Sequence, residues 1–306
     1  MTIDHRAFSL PPAAHQASAT HRSALSDFLQ QIVRQPEEGS LPHVSVVMTF
    51  HREGLLAAWM LSGYERVRAH ARRQGLAVEW IIVLDQPDED TMRIVCNHAA
   101  VQPSDWIVRT QCADPGTSRN IGVCFAQGEV IGVADGDDYY SEMWITQAWE
   151  SIQRYGSSVV VHPEYMVSFD RQWVLTRLID QTEDEFPLAA CITTHPWGCA
   201  AFAHALIFKT TPYLPTRAHE SGFGFEDWHW NLEVMGKGVL HVVAKNTAIY
   251  YRRREGSVLQ RENMHRAVVR PSIFFDQPQY WKTGFPLIPE YASSAREFPT
   301  LCQKRT

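Results

Sequence analysis

The 306-residue chain is 45% hydrophobic and 20% charged with a formal net charge of −6, which is enough apolar content for a full core and no basic field of the kind that non-specific nucleic-acid binding uses. Its six cysteines show no CxxC pair and no regular spacing, which argues against a zinc site or a disulfide framework and for reduced thiols. The N-terminus lacks the basic start and unbroken apolar core of a secretory signal, so the expected location is the cytoplasm.

In chain order, residues 1–40 read as a mixed, Pro/Ala/Ser-rich extension. Within it "SALSDFLQQIVRQ" (23–35) sets Leu25, Phe28, Leu29 and Ile32 at helical spacing, which predicts a short amphipathic helix packed on the main domain. From Val44 the pattern changes to continuous apolar runs, "VSVVMT" (44–49), "VEWIIVL" (78–84), "WIVR" (106–109) and "EVIGVA" (129–134). Runs of this kind indicate strands buried on both faces, and the segments between them are long enough for crossover helices. The expected fold is α/β, with a mainly parallel, Rossmann-like sheet over a domain of residues 41–258.

In such sheets ligands bind beyond the carboxyl ends of the strands, where this chain collects "TFHRE" (49–53), "DQPDED" (85–90) and "DGDD" (135–138). Carboxylates this close raise one another's pKa unless a cation sits among them, so a positive partner is expected. Asp138 is open to two readings, N-cap of a helix beginning at "DYYSEMW" or part of a metal site.

Beyond about residue 155 the segments "SSVVV", "EYMVSF", "QWVLTRL" and "AHALIF" read as strands without crossover helices, a mixed or antiparallel extension. The stretch 186–208 contains no Asp, Glu, Lys or Arg, but its prolines, histidines and threonines predict buried strands flanking a loop, not a membrane span. "EDWHWNLEVMGKG" (226–238) reads as a helix with an acidic first turn and glycine at its end. Residues 259–306 read as a tail on the domain, irregular and Pro-rich beyond 272.

The run "DPGTSRNIGVCFAQGEVIGVADGDD" (114–138) resembles the family 2 glycosyltransferases of the GT-A fold. Gly116, Arg119, Asn120, Gly122, Gly128, Asp135 and Asp137 fall in register with the family's Gly-x-x-x-Arg-Asn-x-Gly helix, Gly-Glu strand and Asp-x-Asp motif. "VSVVMTFHRE", "WIIVLDQPDEDT", "GFGFEDWHWNLEVMGKG" and "YYRRREGSV" follow in the family's order, so the resemblance extends over about 44–258.

The resemblance implies an inverting, metal-dependent transfer of a sugar from a nucleoside diphosphate donor, a UDP-sugar by family frequency, to a hydroxyl of a glycan or lipid-linked acceptor in polysaccharide assembly. The donor would be held by Thr49, His51 and Glu53 in the first turn, by Asp85 at the base, Asp135 at the ribose, and Arg119 and Arg254 as positive charge. Asp137 would hold Mn2+ or Mg2+, Asp227 would be the general base, and Glu226 would orient the acceptor. Trp228 and Trp197 are assigned to the acceptor, whereas His195 in "HPW" reads either as a core histidine or as lining of the acceptor pocket.

Thr49, Gln86 and Arg254 depart from the family's more common Pro, Asp and His. The cluster Arg252, Arg253, Arg254, Arg261, Arg266 and Arg270 reads either as solvated charge or as a surface for an anionic lipid acceptor at the inner face of a membrane. Two rival functions follow from these departures and from the shared α/β plan: a GT-A-like scaffold that no longer transfers, and a nucleotidyltransferase.

Overall fold

The structure is a computed structural model that describes residues 25–276 apart from 26, 37, 38 and 187. Where spacing predicts a helix, Leu29–Arg34 forms a strand, β1, lying antiparallel to the sheet edge with Leu29 opposite Thr110 and Ile32 opposite Val108. Phe28, Leu29 and Ile32 reach the cluster around Trp106 and Val108. An extended backbone also covers that edge's row of unpaired N–H and C=O groups, which a helix would leave open.

The apolar runs become β2 (Val44–Phe50), β3 (Val78–Asp85), β4 (Trp106–Thr110) and β5 (Val130–Asp135). β2 is parallel to β3 and β5, and β3 is parallel to β4. The crossovers are α1 (Leu55–Arg73), α2 (Glu89–Asn97) and α3 (Pro115–Phe125). Asp88 and Asp114 cap α2 and α3 by accepting from Thr91 and Thr117 N–H, and Pro115 supplies a preset φ in the first turn of α3. Gly122 lets α3 lie directly on β2, because a Cβ there would overlap Val47.

Asp138 does not cap a helix. Tyr139–Tyr140 form the short strand β6, and α4 (Trp144–Tyr155) begins at Trp144. Asp138 Oδ1 instead accepts the Arg252 N–H at 2.9 Å, tying the acidic loop to a later strand.

The segments "SSVVV" and "EYMVSF" merge into one strand, β7 (Val159–Asp170), with β8 (Val174–Arg177) antiparallel to it. Among the described residues of 186–208 only one strand forms, β9 (Ala201–His204), after a 3-10 turn at Leu188–Ile192 and a loop; the second half of "AHALIF" is α5 (Ala205–Thr210). The chain continues through α6 (Ala218–Ser221), β10 (Phe223–Gly224), α7 (Glu226–Gly236), β11 (Leu240–Arg253), α8 (Val258–Met264) and β12 (Val268–Val269).

The main sheet runs β1-β4-β3-β2-β5-β9-β7-β11-β6, with β8 paired to β7, and β10 pairs with β12 separately. β9 is antiparallel to both β5 and β7, so the sheet is parallel from β4 to β5 and mixed beyond it. Of the tail, a 3-10 turn at Ile273–Asp276 packs Phe274 into the core beside α7, and the irregular stretch expected beyond 276 lies outside the described residues. Among the described residues no helix is long and apolar enough to cross a membrane.

Candidate active site

The carboxyl ends of β2, β3 and β5, the first turn of α7 and the end of β11 surround one cavity of about 680 Å3. Thr49, His51, Glu53, Asp85, Arg119, Asp135, Asp137, Glu226, Asp227, Trp228 and Arg254 all line it. Parallel strands bring this about, because each ends in its polar residues on the same edge.

On the β3 side, the buried Asp85 accepts from Ala113 N–H at 3.2 Å and Ser118 Oγ at 3.0 Å. The His51 Nδ1 lies 2.5 Å from the Asp85 carbonyl oxygen, which only accepts, so Nδ1 carries the proton. Glu53 accepts from the His51 N–H and from Arg254 Nη2 at 3.1 Å, and burial pushes its carboxyl up to about 7. Gln86 has a left-handed φ of 48° at the turn after β3.

Thr49 Oγ1 donates to Asp135 Oδ1 at 3.3 Å, and Cys199 Sγ lies 3.1 Å from Asp135 Oδ2. Arg119, with 3% of its side chain exposed, places Nη2 at 2.8 Å from Asp135 and Nη1 at 2.5 Å from Glu226. One guanidinium thus spans carboxylates from β5 and α7. Burial disfavours the Asp135 charge, but Arg119 outweighs it and holds that carboxyl below its ordinary value. At Glu226 burial wins over Arg119 and pushes the carboxyl up to about 8.

The positive partner expected beside "DGDD" is in part Arg254, whose Nε lies 2.5 Å from Asp137 Oδ2. Burial still raises the Asp137 carboxyl, and Asp138, buried beside Asp137 and Asp135, is raised well above the carboxylate range. Asp138 Oδ2 is buried without a hydrogen-bond partner. Asp135, Asp138 and Cys199 each bring one donor atom within 4.8 Å of one another. An orphaned carboxylate oxygen among further carboxylates fits a hard divalent cation, so a possible acidic metal site exists here.

Asp227 stands second in α7, whose N-cap Phe225 sits at a left-handed φ of 59° and donates its N–H to Glu262 at 2.9 Å. Asp227 Oδ2 lies 3.7 Å from His195 Nδ1, and the Trp228 indole donates to the Cys191 carbonyl at 2.8 Å. Trp197 does not line the cavity, contrary to the sequence expectation. It is 1% exposed, stacks on His241 at 4.4 Å and donates to the Ile179 carbonyl at 2.9 Å. The "HPW" loop turns its large apolar ring into the core and leaves His195 facing the cavity, the second of its two readings.

Cys199 and Glu262 also line the cavity and carry no motif that marks them in the sequence; the pairing of β9 with β5 brings the 195–199 loop beside the acidic turn. Arg252, Arg253, Arg254 and Arg261 from the basic cluster line the cavity.

The chain matches the family description "Glycosyl transferase family 2" over residues 45–210, just over half its length. Among solved structures, S. aureus TarS 1-349 in complex with UDP-GlcNAc is 18% identical with a TM-score of 0.55, covering 71% of this chain and 60% of that one. The mannosyltransferase PcManGT from Pyrobaculum calidifontis, in complex with GDP-Man and Mn2+, is 15% identical with a TM-score of 0.51, covering 82% of this chain and 70% of that one. These likenesses are of fold, and the chain spans about 60% of the length of TarS 1-349. Among curated protein sequences none matches significantly.

Proposed function

The chain belongs to glycosyl transferase family 2 and has the GT-A fold, and from that premise we propose that it transfers a sugar from a nucleoside diphosphate donor to a hydroxyl group with inversion at the anomeric carbon. The observation that supports this most is the convergence of Asp85, Asp135 and Asp137 with Asp227 of α7 on one cavity. That arrangement sets a nucleotide-binding wall opposite a carboxylate suited to take a proton.

In this reading Asp85 receives the base, with Thr49, His51 and Glu53 framing the turn beneath the nucleotide, and Asp135 accepts from the ribose. Asp137 would hold Mn2+ or Mg2+, which when bound neutralises charge developing on the departing diphosphate. Arg254 adds fixed positive charge beside Asp137. Asp227 accepts the proton of the attacking hydroxyl, and Glu226, largely protonated near neutral pH, can donate a hydrogen bond to the acceptor. Trp228 offers an aromatic wall for that acceptor. Nucleotide sugars occupy both neighbours, UDP-GlcNAc in TarS and GDP-Man in PcManGT, and a UDP-sugar is the donor proposed here. The acceptor class is a glycan or lipid-linked glycan of polysaccharide assembly, reached in the cytoplasm or at the inner face of the membrane.

Two variants test the assignment. Asp227→Asn is expected to bind nucleotide as the wild type does and to lower transfer by ~10^2 to 10^4-fold, the range of a lost general base. Asp137→Asn is expected to lose metal-dependent nucleotide binding. Full turnover by Asp227→Asn would remove it as the base, and release of pyrophosphate in place of a nucleoside diphosphate would make the protein a nucleotidyltransferase.

A further inference from the structure

We propose that His195 is a positioning residue for Asp227, held by Asn231 in the tautomer that presents an N–H to the carboxylate. The inference rests on the reading of Asp227 as the base.

Asp227 and Asn231 stand four residues apart on α7, so their side chains share one face, and His195 enters from the loop before β9 between them. His195 Nε2 lies 2.8 Å from Asn231 Nδ2, while Nδ1 faces Asp227 Oδ2 at 3.7 Å. The orientation of the Asn231 amide follows from a third group. Its Nδ2 also lies 3.3 Å from the Gly198 carbonyl oxygen, which only accepts, so the nitrogen and not the oxygen occupies this position. An amide nitrogen only donates, and His195 Nε2 must therefore accept. The ring proton of a neutral imidazole is then on Nδ1, the atom facing Asp227.

The ring is also neutral and held. Burial lowers the His195 pKa below its ordinary value, against the opposing pull of Asp227. Its face stacks on Trp228 at 6.0 Å and 5° between planes, and the Trp228 indole is itself tied to the Cys191 carbonyl. Asn231 is 2% exposed, so its amide has no solvent alternative to these partners.

At 3.7 Å the contact with Asp227 is electrostatic, and a small side-chain adjustment closes it to a hydrogen bond. A neutral N–H donor suits a general base, because it restricts the carboxylate's rotation yet places no second titrating charge beside it. The Trp228 N–H, at 2.8 Å from Asp227 Oδ1, holds the other oxygen.

Long-range 1H–15N NMR of the imidazoles, with His195 assigned by its absence from a His195→Phe sample, reads the tautomer directly. The Nδ1–H form is expected in the wild type, shifting toward Nε2–H in Asn231→Leu. In transfer assays His195→Phe, which keeps a stacked ring but no N–H, is expected to lower kcat by at least ~10-fold with the donor KM within ~2-fold. His195→Gln, whose amide can donate to Asp227, is expected to recover most of the loss. An Nε2–H tautomer in the wild type, or wild-type kcat in His195→Phe, would overturn the positioning role and leave the base assignment standing. Full turnover in Asp227→Asn would instead overturn the base assignment and the positioning role with it, whatever the tautomer.

Discussion

Arg119 carries the charge balance of the site, since it alone joins the β5 carboxylate Asp135 to the α7 carboxylate Glu226. Removing a buried partner of this kind leaves Asp135 an uncompensated, partly buried charge and Glu226 without its hydrogen-bond donor. Arg119→Met is therefore expected to destabilise the fold by ~3 to 5 kcal/mol in urea or guanidinium titrations. Arg119→Lys keeps the charge but has no planar fork to span two carboxylates, and is expected to recover only part of that loss.

The protonation of Glu226 gives a second prediction, on pH. Its folded-state pKa of about 8 lies above the ordinary value of 4.5, so its contribution to stability is fully present below pH 4.5 and is lost as pH rises through 8. Wild-type stability should fall between about pH 4.5 and 8, and Glu226→Gln, which does not ionise, should flatten the fall. Glu53 and Glu262, both pushed up to about 7 by burial, act in the same direction and leave a residual slope at lower pH. Equal slopes for wild type and Glu226→Gln would show that Glu226 is ionised throughout.

The close seat of α3 on β2 has a direct test in Gly122→Ala. The added methyl meets Val47, and the overpacking is expected to destabilise by ~1 to 3 kcal/mol, measurable by chemical denaturation, without altering the cavity's polar groups. β1 has a different role, covering the β4 edge through pairs such as Ile32 with Val108 and through the Thr110 hydroxyl on the Phe28 carbonyl at 2.7 Å. Deleting residues 1–36 would bare that edge, and self-association seen by size-exclusion chromatography is the expected result.

These two elements also mark where sequence reasoning holds and where it stops. β2 to β5 were legible because strands buried on both faces carry unbroken Val/Ile runs, and the Asp residues at their ends fall where parallel strands deliver them. β1 was not, because Leu25, Phe28, Leu29 and Ile32 satisfy a helical stripe as well as a strand on this core, and only the open edge of β4 decides between them. Likewise "DYYSEMW" has a good N-cap, but the pairing of Tyr139 and Tyr140 with β11 takes precedence and spends Asp138 on the Arg252 N–H. Trp197 was misplaced and His195 left open for the same reason. Two residues apart in a loop, they give no period from which to tell the core side from the cavity side.

At the scale of the whole molecule the cavity is a seam between two parts of one sheet: the parallel strands β2 to β5 with Asp85 and Asp135 at their ends, and β7, β9 and β11 with α7. Arg119 crosses the seam from α3 to Glu226, and Arg254 crosses it from the end of β11 to Asp137 and Glu53. If the site binds as proposed, the second crossing would make cation and nucleotide binding interdependent. A divalent ion arriving alone competes with a guanidinium already 2.5 Å from Asp137, whereas a nucleoside diphosphate gives that guanidinium phosphate oxygens to pair with instead. Mn2+ without nucleotide is accordingly expected to raise the melting temperature by less than ~2 °C. With the matching nucleoside diphosphate at about a hundred times its Kd, the added stability of ~2.7 kcal/mol corresponds to roughly 5 to 10 °C for a domain of this size. Arg254→Met should reverse the order by increasing the shift from Mn2+ alone and reducing the further gain from nucleotide. An unchanged response to Mn2+ in that variant would mean that Arg254 and the cation do not compete for Asp137.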